Sequence, residues 1–445
     1  ASPWKTLLQV GPDEDLALLD FSLDGKSVIL ESSLGSDTTR VVERNLASGA
    51  EKVLASNPKV DAGGVLIHPR RHVVQAVDFP AGRSAWVVLD PTVRADFEGI
   101  RRLSSGDFSV VNRDREDRTW LVAFTEDRGP VRYHAWDRSA RQGTFLFVHQ
   151  PKLEGLPLAE MKAVVVKARD GLEINSYLTL PVGIAPRGLP LVLFVHGGPW
   201  GRDHWGFDPW AQWLANRGYA VLQPNFRGST GYGKKFLHAG DRQWGKKMHD
   251  DLIDAASWAV KQGVADPKRI AIMGGSYGGY AALAGATFTP DFFRCAVDLV
   301  GPSSIFTLIK SIPPYWAPMR SLFDKRIGNI DDPKDEELLR AASPLFSAGR
   351  IKIPLLIGQG ANDPRVKQAE SEQIVEAIEK NGGAVTYVVY PDEGHGFARP
   401  ENRIDFNARA EAFLATDCLG GRVEPMAGER MPGSTAQVKV VKATR

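Results

Sequence analysis

The chain has 445 residues, of which 43% are hydrophobic, and its 55 Lys and Arg residues nearly balance its 53 Asp and Glu residues. The high apolar content and the net charge of only +2 argue against intrinsic disorder. The near-neutral charge also argues against a nucleic-acid partner, because phosphate recognition needs a clustered surplus of Lys and Arg. No run approaches the ~18 apolar residues of a membrane span, so we expect a soluble protein of two or three domains without a membrane partner.

The first 150 residues repeat short strands separated by polar turns, without helical periodicity. Three similar stretches begin at Phe21, Val65 and Phe108, which are 44 and 43 residues apart. A repeat of about 40–45 residues with several strands is typical of a β-propeller blade, and propellers close with about 4–8 blades. About three blades therefore predict an incomplete ring. Because an open ring leaves unpaired edges, and because the chain begins with Ala1 rather than Met, we expect a leading propeller segment of the same gene product to be missing.

From about residue 161 onward the pattern changes. A hairpin is predicted over 164–181, with its turn at Asp170 and Gly171. After it, continuous apolar strands alternate with helical runs such as 249–263. This alternation predicts an α/β fold, a mostly parallel sheet with helices on both faces. The segment after Leu419 has no clear periodicity and is predicted to be a loop or a short extension.

The segment GGSYG, from Gly274 to Gly278, follows the apolar strand RIAIM and precedes the small-residue run YGGYAALAG. A G-x-S-x-G pattern between a strand and a helix is typical of a nucleophile elbow, which would make Ser276 the nucleophile. The alternative is a glycine turn that only joins strand to helix. A phosphate-binding loop is disfavoured, because no glycine run here is followed by Gly-Lys-Ser/Thr.

A serine nucleophile needs a base and an orienting acid, and in hydrolases of this architecture the chain order is Ser, Asp or Glu, then His. Asp363 follows the predicted strand IPLLIGQG, and His395 follows VTYVVYP between two glycines. We therefore predict Asp363 and His395 as the partners of Ser276. The alternative for His395 is a surface loop histidine. Asp392 and Glu393 are also acidic, but they lie too close along the chain to reach the far ring nitrogen.

The oxyanion of an acyl-transfer intermediate needs N–H donors. We predict one from Tyr277, directly after the nucleophile, and a second from Gly198 or Gly197 in the segment HGGP. His196 in the same segment is interpreted as an orienting or packing residue rather than a second base.

The segment PPYW places Tyr315 and Trp316 on a long insertion between two strands. This aromatic pair could line a substrate pocket, and local packing of the insertion is the equal alternative. Trp200 is interpreted as a core or rim residue.

The two cysteines, Cys295 and Cys418, cannot build a disulfide framework for a chain of this size. Cys295 lies in the apolar run CAVDLV and is predicted to be a small buried hydrophobic residue. His204, His238 and His249 lack the spacing of metal ligands, so no metal and no cofactor is expected.

Taken in order, these motifs resemble the hydrolase domain of the prolyl oligopeptidase family, closest to its bacterial acylaminoacyl-peptidase and dipeptidyl-peptidase-like branch. The motifs that carry the resemblance, over roughly 150–420, are HGGPW, PNFRGSTGYG, DDLIDAASWAV, ADPKRIAIMGGSYGGY, SIPPYWAPM, GANDPRV and DEGHGF. The resemblance implies a triad of Ser276, Asp363 and His395, with oxyanion donors at Tyr277 and Gly198. It also implies an α/β-hydrolase domain behind a propeller that admits only short peptides, a size filter that three blades put in doubt. We see no paired-Glu signature for a free amino terminus.

The expected organisation is a partial propeller over 1–155, an α/β-hydrolase catalytic domain over 156–420 and a C-terminal tail over 421–445. The expected function is a serine peptidase that hydrolyses short peptides or acylated N-terminal residues through an acyl-enzyme. A carboxylesterase acting on small acyl esters and a catalytically dead peptide-binding scaffold are the alternatives. The preferred side chain, the choice between cytoplasm and periplasm, and the oligomeric state stay open, a homo-oligomer being one alternative.

Overall fold

The computed structural model describes residues 5–424 and 430–444. Ala1 and parts of the predicted tail, 425–429 and 445, lie outside the described residues. The chain divides into two compact units. The first holds the chain up to Met161 with His204–Asp208 and Thr230–Leu237, and the second holds Lys162–Asp203, Pro209–Ser229 and the chain from His238 onward.

From residue 5 onward, where the structure is described, the first unit contains three antiparallel sheets whose strands are neighbours in chain order, as in propeller blades. The first sheet is β1 (Leu16–Phe21), β2 (Ser27–Ser32), β3 (Arg40–Asn45) and β4 (Glu51–Ala55). The second is β5 (Val65–Ile67), β6 (Val74–Asp78) and β7 (Trp86–Val88), and the third is β8 (Asp107–Arg113), β9 (Thr119–Thr125), β10 (Arg132–Asp137) and β11 (Gln142–Val148). The predicted repeats at Val65 and Phe108 coincide with the first strands of the second and third sheets. The repeat at Phe21 is offset, because Phe21 ends β1.

A helix, α1 (Arg94–Ile100), lies between the second and third sheets. The sequence shows no helical periodicity in this region, so the helix was not predicted. The helix has 7 residues, too few for a periodic pattern to show. Phe97 and Ile100 are fully buried against Trp120 and Trp136, so packing rather than intrinsic propensity stabilises this short helix.

The second unit is built on a nine-stranded sheet with the order β12-β13-β15-β14-β16-β17-β18-β19-β20. Its strands are β12 (Met161–Lys167), β13 (Glu173–Thr179), β14 (Leu189–Val195), β15 (Ala220–Pro224), β16 (Ala265–Gly275), β17 (Cys295–Leu299), β18 (Leu355–Gly360), β19 (Val385–Tyr390) and β20 (Gln437–Val441). The strands from β15 through β19 pair in parallel, while β13 and β20 pair antiparallel with β15 and β19. This is the α/β fold with a mostly parallel sheet that the alternation predicts.

The remaining helices are α2 (Pro209–Asn216), α3 (Gly233–His238), α4 (Lys247–Lys261), α5 (Tyr277–Phe288), α6 (Ile305–Lys310), α7 (Arg320–Arg326), α8 (Glu336–Ala341), α9 (Gln368–Lys380) and α10 (Pro400–Phe413). The apolar stripe predicted on α4 is buried at Leu252, Ala255 and Ala259. In contrast, α5 is buried from Tyr277 to Thr287, as expected of a helix in the interior of a large domain. In the described parts of the chain, every helix is too short or too polar to cross a membrane.

The segment after Leu419, predicted to be a loop or a short extension, contains a strand. Within it, β20 adds an edge strand to the sheet by pairing with β19. Its side chains are exposed except for Val441, which is buried. A five-residue edge strand with one buried side chain shows no clear alternation of apolar and polar residues in the sequence. Its conformation depends on its pairing with β19.

The two cysteines also differ from the prediction. Cys295, at the start of β17, is fully buried as expected. It is, however, bonded to Cys418, which is 123 residues further along the chain. Cys418 lies in a π-helical turn, Leu414–Leu419, that follows α10. Only the return of this turn to the sheet brings the two sulfurs together, so spacing in the sequence could not show the pair.

Candidate active site

Ser276 lies in a sharp turn between β16 and α5. Its φ of +58° and ψ of −117° fall where an L-residue is strained by roughly 1–3 kcal/mol, a cost that recurs at functional turns. Two flanking glycines allow the turn to pack closely, since a Cβ at Gly274 or Gly278 would overlap the carbonyl oxygen of Val195 in β14. The local structure is the strand, turn and helix expected of a nucleophile elbow.

The structure brings Ser276, His395 and Asp363 together in one hydrogen-bonded chain. His395 Nε2 lies 3.0 Å from Ser276 Oγ, and His395 Nδ1 lies 2.7 Å from Asp363 Oδ2. The other carboxylate oxygen of Asp363 accepts the N–H groups of Arg365 and Val366 at 2.8 and 3.0 Å. The Asp363 side chain is fully buried while the His395 ring is 14% exposed. A fixed, buried acid thus faces a histidine that solvent and substrate can reach.

The neighbouring acids have other partners. Asp392 pairs with Arg399. Glu393 accepts the N–H groups of Ala398 and Arg399 at 2.7 and 3.0 Å. These bonds fix the loop that carries His395, which agrees with the reasoning that favours Asp363 as the partner of the ring.

The segment HGGP runs beside Ser276. A Cβ at Gly197 would lie 3.4 Å from the Ser276 Cβ, which shows how closely the two backbones approach. Gly198 has a φ of +128°, and a Cβ there would lie 2.7 Å from the Trp200 backbone nitrogen, so only glycine fits without strain. The N–H of Tyr277 is at the first position of α5, where no preceding turn of helix offers a carbonyl. Gly198, Ser276 and Tyr277 line one cavity, so the N–H groups of Gly198 and Tyr277 remain the candidate donors.

His196 packs and orients this loop, as the sequence reasoning expects. Its Nδ1 donates to the Gly197 carbonyl at 2.8 Å, and its Nε2 lies 2.9 Å from Ser229 Oγ. Its ring stacks on Phe226 with centroids 4.5 Å apart, and Phe226 stacks in turn on Tyr277. Both ring nitrogens are engaged, so His196 is poorly placed to act as a second base.

A buried ion network that the sequence reasoning missed follows Phe226. The Arg227 guanidinium is 4% exposed and pairs with Asp251 at 2.7 Å and Asp170 at 2.9 Å. The hydrogen bonds from Arg227 lower the pKa of Asp170 to about 2. Arg227 lies in the quoted motif PNFRGSTGYG, but a single Arg in a motif does not reveal which carboxylates surround it.

An apolar cavity of about 140 Å³ opens beside Ser276. Its wall is formed by Gly198, Pro199, Trp200, Trp244, Tyr277, Pro302, Leu308, Ile309, Ile312, Trp316, Met319, Phe323 and Val366. Of the predicted pocket pair, Trp316 is in the wall, whereas Tyr315 is 58% exposed and packs edge-to-face on Trp316. Trp200, interpreted as core or rim, is in the wall and packs on Phe323. Its position directly after HGGP is the signal that could have indicated this.

The comparisons with known proteins agree with this geometry. Residues 205–421 match the model of the prolyl oligopeptidase family. The chain is 51% identical to dipeptidyl aminopeptidase BIII of Pseudoxanthomonas mexicana over 94% of its own length, and 36% identical to dipeptidyl peptidase family member 6 of Caenorhabditis elegans over 99%. In both cases it spans 62% of the relative's length.

A solved puromycin-hydrolyzing peptidase from Mycobacterium tuberculosis superimposes with a TM-score of 0.79 at 26% identity, covering 94% of this chain and 64% of that one. The family match includes the elements that carry Ser276, Asp363 and His395. The resemblance seen in the motifs is thereby confirmed, and residues 205–421 belong to the prolyl oligopeptidase family.

Proposed function

We propose that the protein is a serine peptidase that cleaves short peptides through an acyl-enzyme. The observation that carries this proposal is the hydrogen-bonded chain from Ser276 Oγ through His395 to Asp363. His395 Nε2 accepts the hydroxyl proton as Ser276 Oγ attacks the carbonyl carbon of the scissile bond. The Asp363 carboxylate holds the ring with Nδ1 protonated and stabilises the imidazolium that forms.

The charge that develops on the carbonyl oxygen is placed between the two backbone donors. Tyr277 directly follows Ser276 and Gly198 lines the same cavity, so we assign their N–H groups as the donors that stabilise this oxygen. The tetrahedral intermediate then collapses, and the C–N bond breaks as His395 gives its proton to the leaving amine. A water molecule attacks the ester carbonyl, passes a proton to His395 and releases the acid from Ser276 Oγ.

The cavity indicates which substrates suit the site. Its wall is almost entirely apolar and contains Trp200, Trp244 and Trp316, so it fits an apolar side chain next to the scissile bond. Two relatives are named for the release of dipeptides, and others are named acylamino-acid-releasing enzymes. We therefore propose short peptides, with a free or an acylated amino terminus, as the substrate class.

The esterase alternative uses the same serine, histidine and donors, so the site geometry alone does not separate it from a peptidase. The relatives are named as peptidases, which favours the peptidase. The Cys295–Cys418 disulfide supports an oxidising compartment, because disulfides seldom persist in the cytosol. We accordingly propose a periplasmic or extracellular location over a cytoplasmic one.

A paired substrate comparison tests the peptidase assignment. The purified protein would be assayed with a dipeptidyl nitroanilide, an acetyl-aminoacyl nitroanilide and a nitrophenyl ester of the same apolar residue, with Ser276→Ala as the matched blank. We expect anilide turnover that depends on Ser276. Hydrolysis of the ester alone would instead support the esterase, and anilide hydrolysis that persists in Ser276→Ala would overturn the assigned nucleophile.

A further inference from the structure

The turn that ends β17 contacts the nucleophile through its backbone. The N–H of Ser276 donates to the carbonyl oxygen of Leu299 at 2.8 Å. In the parallel register of β16 and β17, Gly274 lies opposite Asp298 and Gly275 lies opposite Leu299. The position of Ser276 therefore depends on the position of this carbonyl as well as on the elbow itself.

The turn is strained at the residue that follows Leu299. Val300 has a φ of +50°, and for a β-branched residue this region is a genuine outlier. Two hydrogen bonds hold it there. Val300 donates its N–H to Gly358 of β18, and Gly301 donates its N–H to Asp298 Oδ1, both at 2.9 Å. The Asp298 side chain thus closes the turn that presents the Leu299 carbonyl.

The Asp298 carboxyl is also wedged against the helix of the nucleophile. Asp298 is fully buried. A Cβ at Gly279, in the first turn of α5, would overlap Asp298 Oδ1, and so would a Cβ at Gly301. Gly279 lies outside the G-x-S-x-G pattern. Its close approach to the Asp298 carboxyl is a separate reason for a glycine at this position.

The burial of Asp298 and its hydrogen bond from Gly301 show which atom of the carboxyl acts in the turn. Burial raises the pKa of Asp298 well above its usual value, which favours the uncharged carboxyl over the carboxylate. Among the described residues, its Oδ2 atom has no hydrogen-bond partner. The atom that closes the turn is therefore Oδ1. An asparagine side chain has the same shape and offers the same acceptor oxygen.

We propose that Asp298 is a positioning residue for the nucleophile, which fixes the Leu299 carbonyl, and through it Ser276, by closing the Asp298–Gly301 turn. This inference rests on the proposed function, since it concerns the reactivity of Ser276. It predicts an effect on turnover rather than on substrate affinity. A displacement of about 1 Å at a reacting group can lower a rate by roughly 100-fold.

The test compares Asp298→Asn, Asp298→Ala and Asp298→Ser, a variant whose hydroxyl ends one bond short of the Gly301 N–H. Val297→Ala is the matched control, because Val297 is the preceding residue of β17, is fully buried and should cost stability through a cavity. A fluorophosphonate probe titrates the reactive serines, and kcat is divided by that number. A variant that is partly unfolded is then not mistaken for a variant with a lower turnover rate.

We expect Asp298→Ala or Asp298→Ser to lower kcat and the rate of probe labelling by roughly 10–100-fold with KM unchanged. Asp298→Asn should keep both rates close to those of the wild type, and Val297→Ala should keep the wild-type kcat. Equal losses in Asp298→Asn and Asp298→Ala, or in Val297→Ala, would overturn the inference, as would wild-type kcat in both Asp298→Ala and Asp298→Ser. If the wild-type protein leaves Ser276 unlabelled, the proposed function fails and the inference with it.

Discussion

Asp363 Oδ2 accepts a hydrogen bond from His395 Nδ1 at 2.7 Å, although the two residues are 32 positions apart. The bond forms because β18 and β19 are parallel neighbours, so the loops after them meet at the same end of the sheet. Two backbone N–H groups fix the opposite oxygen of Asp363. The orientation of the His395 ring is therefore set by the acid.

This relationship predicts the effect of removing the charge. Asp363→Asn should lower kcat for an anilide substrate by roughly 10⁴-fold, because the amide favours the wrong histidine tautomer. Asp392→Asn is the control, since Asp392 is an acid of the His395 loop that pairs with Arg399 instead. Steady-state kinetics should show the large loss only in Asp363→Asn, and a comparable loss in both variants would contradict the assigned acid.

The aromatic pair on the insertion provides a test of the cavity. Trp316 is in the cavity wall and its neighbour Tyr315 is exposed. Trp316→Ala should lower kcat/KM by roughly 10–100-fold for substrates with a large apolar side chain, with less effect on an alanine substrate. Tyr315→Ala should leave both values close to wild type. Equal effects of the two substitutions on a series of anilides would exclude the cavity as the side-chain pocket.

The disulfide predicts a redox-dependent stability. Because the Cys295–Cys418 bond closes a long loop of 123 residues, its loss should lower the free energy of unfolding by about 2–4 kcal/mol. Urea unfolding of the wild type with and without reductant measures this loss. The Cys295→Ala/Cys418→Ala variant should match the reduced wild type and should not respond to reductant. A wild type that is equally stable in both conditions would contradict the prediction.

The burial of His249 should make the free energy of unfolding depend on pH. The ring is buried, and burial lowers its pKa from 6.5 to about 4. Between those pH values the unfolded chain binds a proton that the folded chain does not, so the free energy of unfolding falls as the pH is lowered, by on the order of 3 kcal/mol. His249→Phe should remove this part of the slope in urea unfolding at pH 7, 5.5 and 4.5. An unchanged slope would show that another group causes it.

The sequence contained most of the information about the hydrolase unit because each of its signals is local. The elbow is a five-residue pattern, and the order of Ser276, Asp363 and His395 follows from a succession of strands that can be read one at a time. The repeats at Val65 and Phe108 likewise coincide with strands. The number of blades in the intact protein stays a prediction.

What the sequence did not show depends on residues that meet only after folding. Helix α1 is stabilised by burial of Phe97 and Ile100 rather than by a periodic pattern. The Cys295–Cys418 bond and the pairing of β20 need the chain end to return to the sheet. Asp298 reads in the sequence as one polar residue within an apolar strand, and its relation to Ser276 appears only through the register of β16 and β17.

The most direct test of Ser276 as the nucleophile is the site of covalent modification. The wild-type protein would be treated with a fluorophosphonate probe, digested, and mapped by mass spectrometry, with His395→Ala and Ser276→Ala treated in parallel. We expect a single adduct on Ser276, much slower labelling in His395→Ala and none in Ser276→Ala. An adduct on a different serine, or undiminished labelling of Ser276→Ala, would contradict this assignment.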